Sequence, residues 1–304
     1  MRIVSLLPSA TEIVAALGLA DQLVAVSHEC DFPTTVLGLP RATASILPPG
    51  LDQAEIDRRV SEAVRAGRPL YTVNGALLAE LAPDLIVTQG LCDVCAVSEA
   101  TVAEAMVGIP CDVAEGATVL SLQGSSWQGV LDDVRAVGRA AGVAAQAAAL
   151  CDAQQARWAD LANGPPLPRR PRVAMLEWPD PAFTGGHWVP EQVQVAGGVD
   201  VLGAPGVDSR RIPWGEVAAA DPELIGVVAC GYDLQTNVGF ARALYARPEL
   251  AGVAALRDAR VFAFDANAYF SRPAPRLLRG AELLRHVFDD GGDLPGEVQR
   301  VRPG

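Results

Sequence analysis

Arg2-Ile3-Val4-Ser5-Leu6-Leu7, followed by Pro8-Ser9-Ala10-Thr11-Glu12 and a mostly apolar run to Leu17 that Gly18 closes, decides the fold class. The first six residues lack the apolar–polar alternation of a strand with one wet face. A near-continuous apolar run suits a strand covered on both sides, as in a parallel sheet. Ser9 to Glu12 has the spacing of a capping box and predicts a helix to Leu17, ended by glycine. Leu23 to Ser27 reads as a second strand. Strand, helix and strand in immediate succession open an α/β fold.

Working outward, Leu85 to Thr88 predicts another strand, preceded by Ala82-Pro83-Asp84, and a short strand is expected around Cys111 to Val113. From Ser125 to Ala162 the period changes: Trp127, Val130, Leu131, Val134, Val137, Ala141 and Leu150 recur at helical spacing. No proline interrupts them, and a continuous helix of that length would span about 55 Å. Gly164-Pro165-Pro166-Leu167-Pro168 then marks a boundary. A second α/β series follows, with strands at Arg172 to Trp178, Leu224 to Cys230 and Arg260 to Asp265. Helices are expected at Pro190 to Ala196 and Pro273 to Phe288. The halves echo each other: Ala82-Pro83-Asp84-Leu85-Ile86 matches Asp221-Pro222-Glu223-Leu224-Ile225, and each half opens on an Arg-led apolar strand. The organisation expected is an N-terminal lobe over 1–124, a long linking helix over 125–163, a C-terminal lobe over 164–290 and a loose tail over 291–304.

The chain has 304 residues and a formal net charge of -12, which argues against nucleic acid or an anionic membrane surface as partner. Its 24 basic residues are all Arg. Without lysine there is neither a Schiff-base nucleophile nor a Walker-type phosphate lysine. No apolar stretch reaches the ~18 residues of a membrane span. The chain opens directly on a strand, so as written it is expected in the cytoplasm, or outside it if a leader precedes this sequence. A monomer is expected.

Ligands of parallel α/β sheets bind beyond the carboxyl ends of the strands. The residues there are His28, Glu29, Cys30 and Asp31; Gln89, Cys92 and Cys95; Glu177, Trp178, Phe183, His187 and Trp188; Cys230 and Tyr232; and Asn267, Tyr269, Phe270 and Arg272. Cys92 and Cys95 form a Cys-x-x-Cys pair that could share a metal ion, with His28, Cys30, His187 or Cys230 completing the set. The plainer alternative makes them buried loop thiols; a redox dithiol is a third. Trp178, Trp188, Trp214, Tyr232, Tyr269 and Phe270 suit a large flat apolar ligand, against the alternative of lobe-core packing. No Gly-x-Ser-x-Gly elbow and no dinucleotide fingerprint occur, so no catalytic residue is assigned.

The opening motif, Asp31-Phe32-Pro33 and the paired Pro-acid-Leu-Ile segments resemble the cobalamin- and siderophore-type substrate-binding proteins of ABC importers. Phe183-Thr184-Gly185-Gly186, Arg211-Ile212-Pro213-Trp214 and Arg272-Pro273-Ala274-Pro275-Arg276 are similar to the cobalamin-binding branch. The resemblance covers about residues 1 to 288. It implies two Rossmann-like α/β lobes with parallel sheets, joined by one long backbone helix, with a corrinoid ligand between them. It places Trp214, Phe270 and Arg272 at ligand-contact positions, and Glu29 where the family has an aromatic contact. An ABC permease is the implied partner; the family's docking glutamate falls at Ala76 in the first lobe, and Glu216 matches the second. His28-Glu29-Cys30 and the Cys92–Cys95 pair depart from the importer pattern and resemble a soluble cobalamin-binding branch.

The reading is therefore a binding protein, not an enzyme. It requires no cofactor, takes a corrinoid as ligand, and His28, Glu29, Trp178, His187, Trp188, Trp214, Tyr232, Tyr269, Phe270 and Arg272 line the site. The alternative is a metal or metal-chelate binder of haem or siderophore type, holding a transition metal through Cys92, Cys95, His28, His187 and Cys230. An enzyme on this scaffold is the third reading.

Overall fold

The computed structural model describes residues 1–90, 101, 102, 105 and 116–303. The chain forms two compact units, one of residues 1–124 and 128–153, the other of residues 125–127 and 154–304. The expected strand around Cys111 to Val113 lies outside the described residues.

In the first unit β1 (Ile3–Ser5), β2 (Leu23–Val26), β5 (Leu85–Gln89) and β6 (Thr118–Leu122) form a parallel sheet in the order β2-β1-β5-β6. Every residue of β1 is buried, as its unbroken apolar run requires. Helix α1 (Pro8–Ala16) differs from the capping-box expectation at its start. Leu7 is the extended cap residue, no side chain caps the helix, and Ser9 lies inside the first turn. Pro8 sets that start, because its fixed φ fits the first helical position and it has no N–H to satisfy. A hairpin that the sequence reading missed pairs β3 (Thr43–Ser45) with β4 (Tyr71–Val73). Around it lie α2 (Gln53–Arg65), capped by Asp52, and α3 (Gly75–Leu81), capped by Asn74. Val4, Leu6, Ala25, Ala42, Leu78 and Ile86 make the core of this unit.

The single helix expected over residues 125–162 is two helices, α4 (Trp127–Ala140) and α5 (Ala144–Ala162). Gly142 takes φ +73 in the turn between them, a left-handed conformation that glycine adopts without a Cβ penalty. The chain then folds back. A Cβ on Gly138 would lie 2.3 Å from the Cβ of Ala147, and the Cys151 thiol reaches the Leu131 carbonyl at 3.4 Å. The two helices are an antiparallel pair, not a 55 Å strut. The chain enters the second unit briefly at Ser125–Trp127 and for good within α5, which is about 28 Å long.

The second unit has a mixed sheet, not a purely parallel one. Its parallel centre is β7 (Arg172–Pro179), β10 (Leu224–Val227) and β11 (Val261–Phe264), with the two-residue β9 (Val199–Asp200) also parallel to the start of β7. β8 (Ala182–Thr184) runs antiparallel to β7, and β12 (Val298–Val301) antiparallel to β11. The tail expected to be loose is thus an ordered edge strand, with Val298 and Val301 buried and the Arg300 guanidinium donating to the carbonyls of Ala259 and Asp258. The helices are α6 (Val189–Val195), α7 (Trp214–Ala220), α8 (Leu234–Leu244), α9 (Ala254–Arg257), α10 (Ala266–Tyr269) and α11 (Leu277–Phe288). Ser125–Trp127 joins this unit: Trp127 stacks on Trp158 at 4.5 Å between ring centroids, and its N–H donates to Glu191 at 2.6 Å.

The repeated Pro-acid segment has a physical cause. Ala82 and Asp221 end α3 and α7 in left-handed conformations, φ +40 and +39. The acid after each proline then accepts the backbone N–H of the arginine that opens its sheet. Arg2 N–H donates to Asp84 and Arg172 N–H to Glu223, while each guanidinium donates back to the carbonyl just before the left-handed residue, Leu81 or Ala220.

Candidate functional site

Each unit presents its chemistry at the carboxyl edge of its sheet. In the first unit that edge is lined with hydroxyls. His28, just past β2, places Nδ1 2.7 Å from the Thr43 hydroxyl, and Thr43 in turn donates to Ser27 at 3.1 Å. The His28 ring lies 5.7 Å from that of Tyr71, on β4, and its Nε2 lies 3.9 Å from the Glu29 carboxylate. Glu29 itself is exposed. Cys30 is buried, 3.1 Å from the Thr11 hydroxyl, which also donates to Ser5. A thiol packed there belongs to the interior of the unit.

In the second unit the strand ends are joined by one side chain that the sequence reading did not single out. Asn237, fully buried on α8, accepts from the Ala229 N–H at 2.9 Å beyond β10. Its amide donates to the carbonyls of Tyr232, Asp233 and Phe264, each at 3.1 Å, and Phe264 ends β11. An asparagine on the apolar face shared by Leu234, Val238 and Ala241 was the available signal, since a buried amide needs partners. This network fixes the loop that carries Tyr232. Tyr232 sits 5.6 Å from Trp178 at a tilt of 46° and edge-on to Phe240 at 5.1 Å. Trp178 and Tyr232 are partly exposed. The Trp178 indole N–H is buried and has no acceptor among the described residues.

Behind Trp178 stands Glu177. Burial pushes its carboxyl up to about 8, against the opposing pull of the Gly186 N–H and the Ser209 side chain. The Gly186 N–H bond is 2.9 Å long, so Glu177 ties down the turn that leads into α6. That turn has no spare room: a Cβ on Gly186 would lie 2.3 Å from the backbone nitrogen of Ser209. His187 follows at φ +52, with Nε2 3.2 Å from Asp208; burial works against protonation of its ring.

Trp188, Phe270 and Arg272 are all buried. The Trp188 indole donates to the Phe270 carbonyl at 2.7 Å, and Phe270 packs edge-on against Phe264 at 5.1 Å, so these rings build the floor of the edge. Tyr269 is partly exposed, with the Arg276 guanidinium 5.9 Å from its ring centroid. Trp214 opens α7 and carries the Arg247 guanidinium 4.4 Å from its ring centroid; Arg247 also pairs with Asp180 in the β7–β8 turn at 3.1 Å.

His28, Glu29, Cys30, Asp31 and Gln89 thus belong to the first unit, and Trp178, His187, Trp188, Trp214, Cys230, Tyr232, Tyr269, Phe270 and Arg272 to the second. Cys92 and Cys95 lie outside the described residues. Among those described, no three of His, Cys, Asp and Glu gather where they could hold a metal ion. No helix among them is long and apolar enough to cross a membrane.

Residues 3–268 match the family model described as periplasmic binding protein. A curated relative, the vitamin B12-binding protein of Vibrio cholerae, is 26% identical over 292 residues, covering 93% of this chain and 87% of that protein. Two solved structures share the fold. The periplasmic haem-binding protein RhuT from Roseiflexus sp. RS-1 has a TM-score of 0.68 at 23% identity, covering 95% of this chain and 98% of that one. The periplasmic vitamin B12-binding protein BtuF of Vibrio cholerae has a TM-score of 0.66 at 23% identity, covering 95% and 96%. The chain belongs to the periplasmic binding protein family, and its role is to bind a substrate, not to transform one.

Proposed function

We propose that this protein binds a corrinoid, a cobalamin-like ligand, at the carboxyl edge of its second unit, with Trp178 and Tyr232 as the apolar wall. The observation that carries the reading is the Trp178 indole N–H, buried beside the Tyr232 ring without an acceptor. The Trp178 and Tyr232 rings keep exposed surface, and a small turn of the indole on binding would bring its unpartnered N–H out to an amide carbonyl on the rim of a flat macrocycle. The curated relative named for vitamin B12 supports the same ligand class. A haem-type ligand is the second reading. Its propionates would seek cations, and Arg276 beside Tyr269 supplies one. The acidic chain, at -12, favours the amide-rimmed ligand over the dianionic one.

As a family member the protein would hand its ligand to an ABC-type permease, with Glu216 on α7 as the docking carboxylate. Glu216 pairs with Arg210, so docking would exchange that partner. In that role the protein works outside the cytoplasm; as a soluble carrier it would work inside, and fractionation of cells carrying the tagged full-length gene product separates the two.

A spectral titration with cobalamin, cobinamide and haemin tests the ligand. The corrinoids should saturate at one per chain, and Trp178→Phe, which removes only the orphan donor and some ring area, should weaken them about tenfold. Saturation by haemin with no response to either corrinoid would replace this reading with the second.

A further inference from the structure

His187 stands in a conformation that its residue type does not favour. Its φ of +52 belongs to glycine, yet both sides of the residue are fastened: its N–H donates to the Val207 carbonyl at 2.7 Å, and its carbonyl accepts from Gly206 at 2.8 Å. Non-glycine residues held in this region cluster at functional sites, because the surroundings must over-determine them. The side chain is aimed with equal care. Nε2 faces the Asp208 carboxylate at 3.2 Å, which places the ring proton on Nε2. Nδ1 then carries the lone pair and has no hydrogen-bond partner among the described residues. A carboxylate on one ring nitrogen and a bare lone pair on the other is the arrangement of a metal-ligating histidine. The ring lies 5.5 Å from that of Trp188, whose indole is bonded to the Phe270 carbonyl. His187 therefore sits beside the loop that follows β11 and α10, at the ligand edge. His28 is arranged differently: Thr43 gives its hydroxyl proton to Ser27, so Nδ1–H of His28 donates to Thr43 and the lone pair falls on Nε2, 3.9 Å from the exposed Glu29 carboxylate and with no carboxylate on the protonated nitrogen.

We infer that His187 supplies an axial imidazole, through Nδ1, to the cobalt of the bound corrinoid. The inference rests on the corrinoid reading above and narrows it. In the binding step a water leaves an axial position of the cobalt and the Nδ1 lone pair forms the new Co–N bond; no electron is transferred, and the proton stays on Nε2, facing Asp208. The substrates taken are corrinoids with an exchangeable axial water, including those that lack a nucleotide base of their own. A corrinoid capped by cyanide on both faces binds less well.

Electron paramagnetic resonance of the full chain loaded with Co(II) cobinamide tests this, because that corrinoid has no nitrogen base to offer axially. Each resolved cobalt line should split into a triplet from one protein nitrogen, and into a doublet when the protein carries heavy-nitrogen histidine. His187→Gly, which suits φ +52, should fold, bind cobinamide more weakly by equilibrium dialysis, and, loaded at saturating cobinamide, lose the splitting. Bound cobinamide without nitrogen splitting in the parent protein, or splitting that persists in His187→Gly, overturns the inference. Dialysis that shows no cobinamide bound to the parent protein defeats the corrinoid reading itself, and this inference with it.

Discussion

Replacing Asn237 by leucine keeps the branching of the side chain, adds some volume and removes every polar contact the side chain makes. The amide accepts from Ala229 and donates to the carbonyls of Tyr232, Asp233 and Phe264, all inside a fully buried site. The carbonyls are partly insured: Tyr232 O also accepts from the Asn267 N–H, and Asp233 O from the backbone N–H of residue 237. The Ala229 N–H loses the acceptor at 2.9 Å that the side chain provides. An orphaned buried donor costs about 1–3 kcal/mol and each weakened acceptor somewhat less, so Asn237→Leu should lose about 2–4 kcal/mol. With a urea slope of about 2–3 kcal/mol/M, the midpoint falls by about 1 M. Because the same amide holds the Tyr232 loop, the near-ultraviolet dichroism from the Trp178–Tyr232 pair should also diminish in the folded variant. A loss below about 1 kcal/mol with an unchanged aromatic signal would refute the claim that this residue organises the edge.

Three further outcomes follow from the same structure. Burial raises the Asp200 carboxyl to about 6 against the pull of the Gly203 and Leu202 N–H groups; the neutral form is the one the fold prefers. The native state then binds more protons than the unfolded one between about pH 4 and 6. Stability is full below that window and falls as pH rises through it, by up to about 3 kcal/mol, and Asp200→Asn should flatten this part of a urea-midpoint series against pH. Trp127→Ala empties a buried position stacked on Trp158 and should cost about 3–5 kcal/mol in thermal or urea unfolding. Gly186→Ala drives a Cβ to 2.3 Å from the Ser209 backbone nitrogen, so the turn must open; a loss of at least about 1–3 kcal/mol and weaker ligand binding are expected by calorimetry.

The parallel centres of both sheets were legible because two-sided burial leaves a mark in composition. Ile3 to Ser5, Leu85 to Gln89 and Leu224 to Val227 are buried along their whole length. The echo between the halves was legible as letters and acquired its reason only in three dimensions, where Asp84 and Glu223 each hold the N–H of an opening arginine. The break between α4 and α5 was hidden because no proline marks it, so the one residue that turns the chain, Gly142, looked like a weak spot in a long helix; the available signal was Leu150, about two and a half turns past Ala141 and so out of phase with it. Edge strands were the other loss. β12 buries only Val298 and Val301, and β3 only Thr43, too little apolar signal to stand out from a loop. At the site, aromatic residues could be collected from their places after strands, but not sorted. Trp178 and Tyr232 keep surface, whereas Trp188 and Phe270 are floor. The partners that do the holding, Asn237, Ser209 and Asp208, come from a helix and a loop with no motif of their own.

Native mass spectrometry of the chain mixed with equal amounts of cobinamide and haemin puts the ligand choice to the test without assuming any residue's role. One cobinamide mass added per chain, with the haemin left free, is the result expected from an amide-seeking indole beside a tyrosine wall. A haemin adduct in its place, or a bare chain in the presence of both, would contradict it.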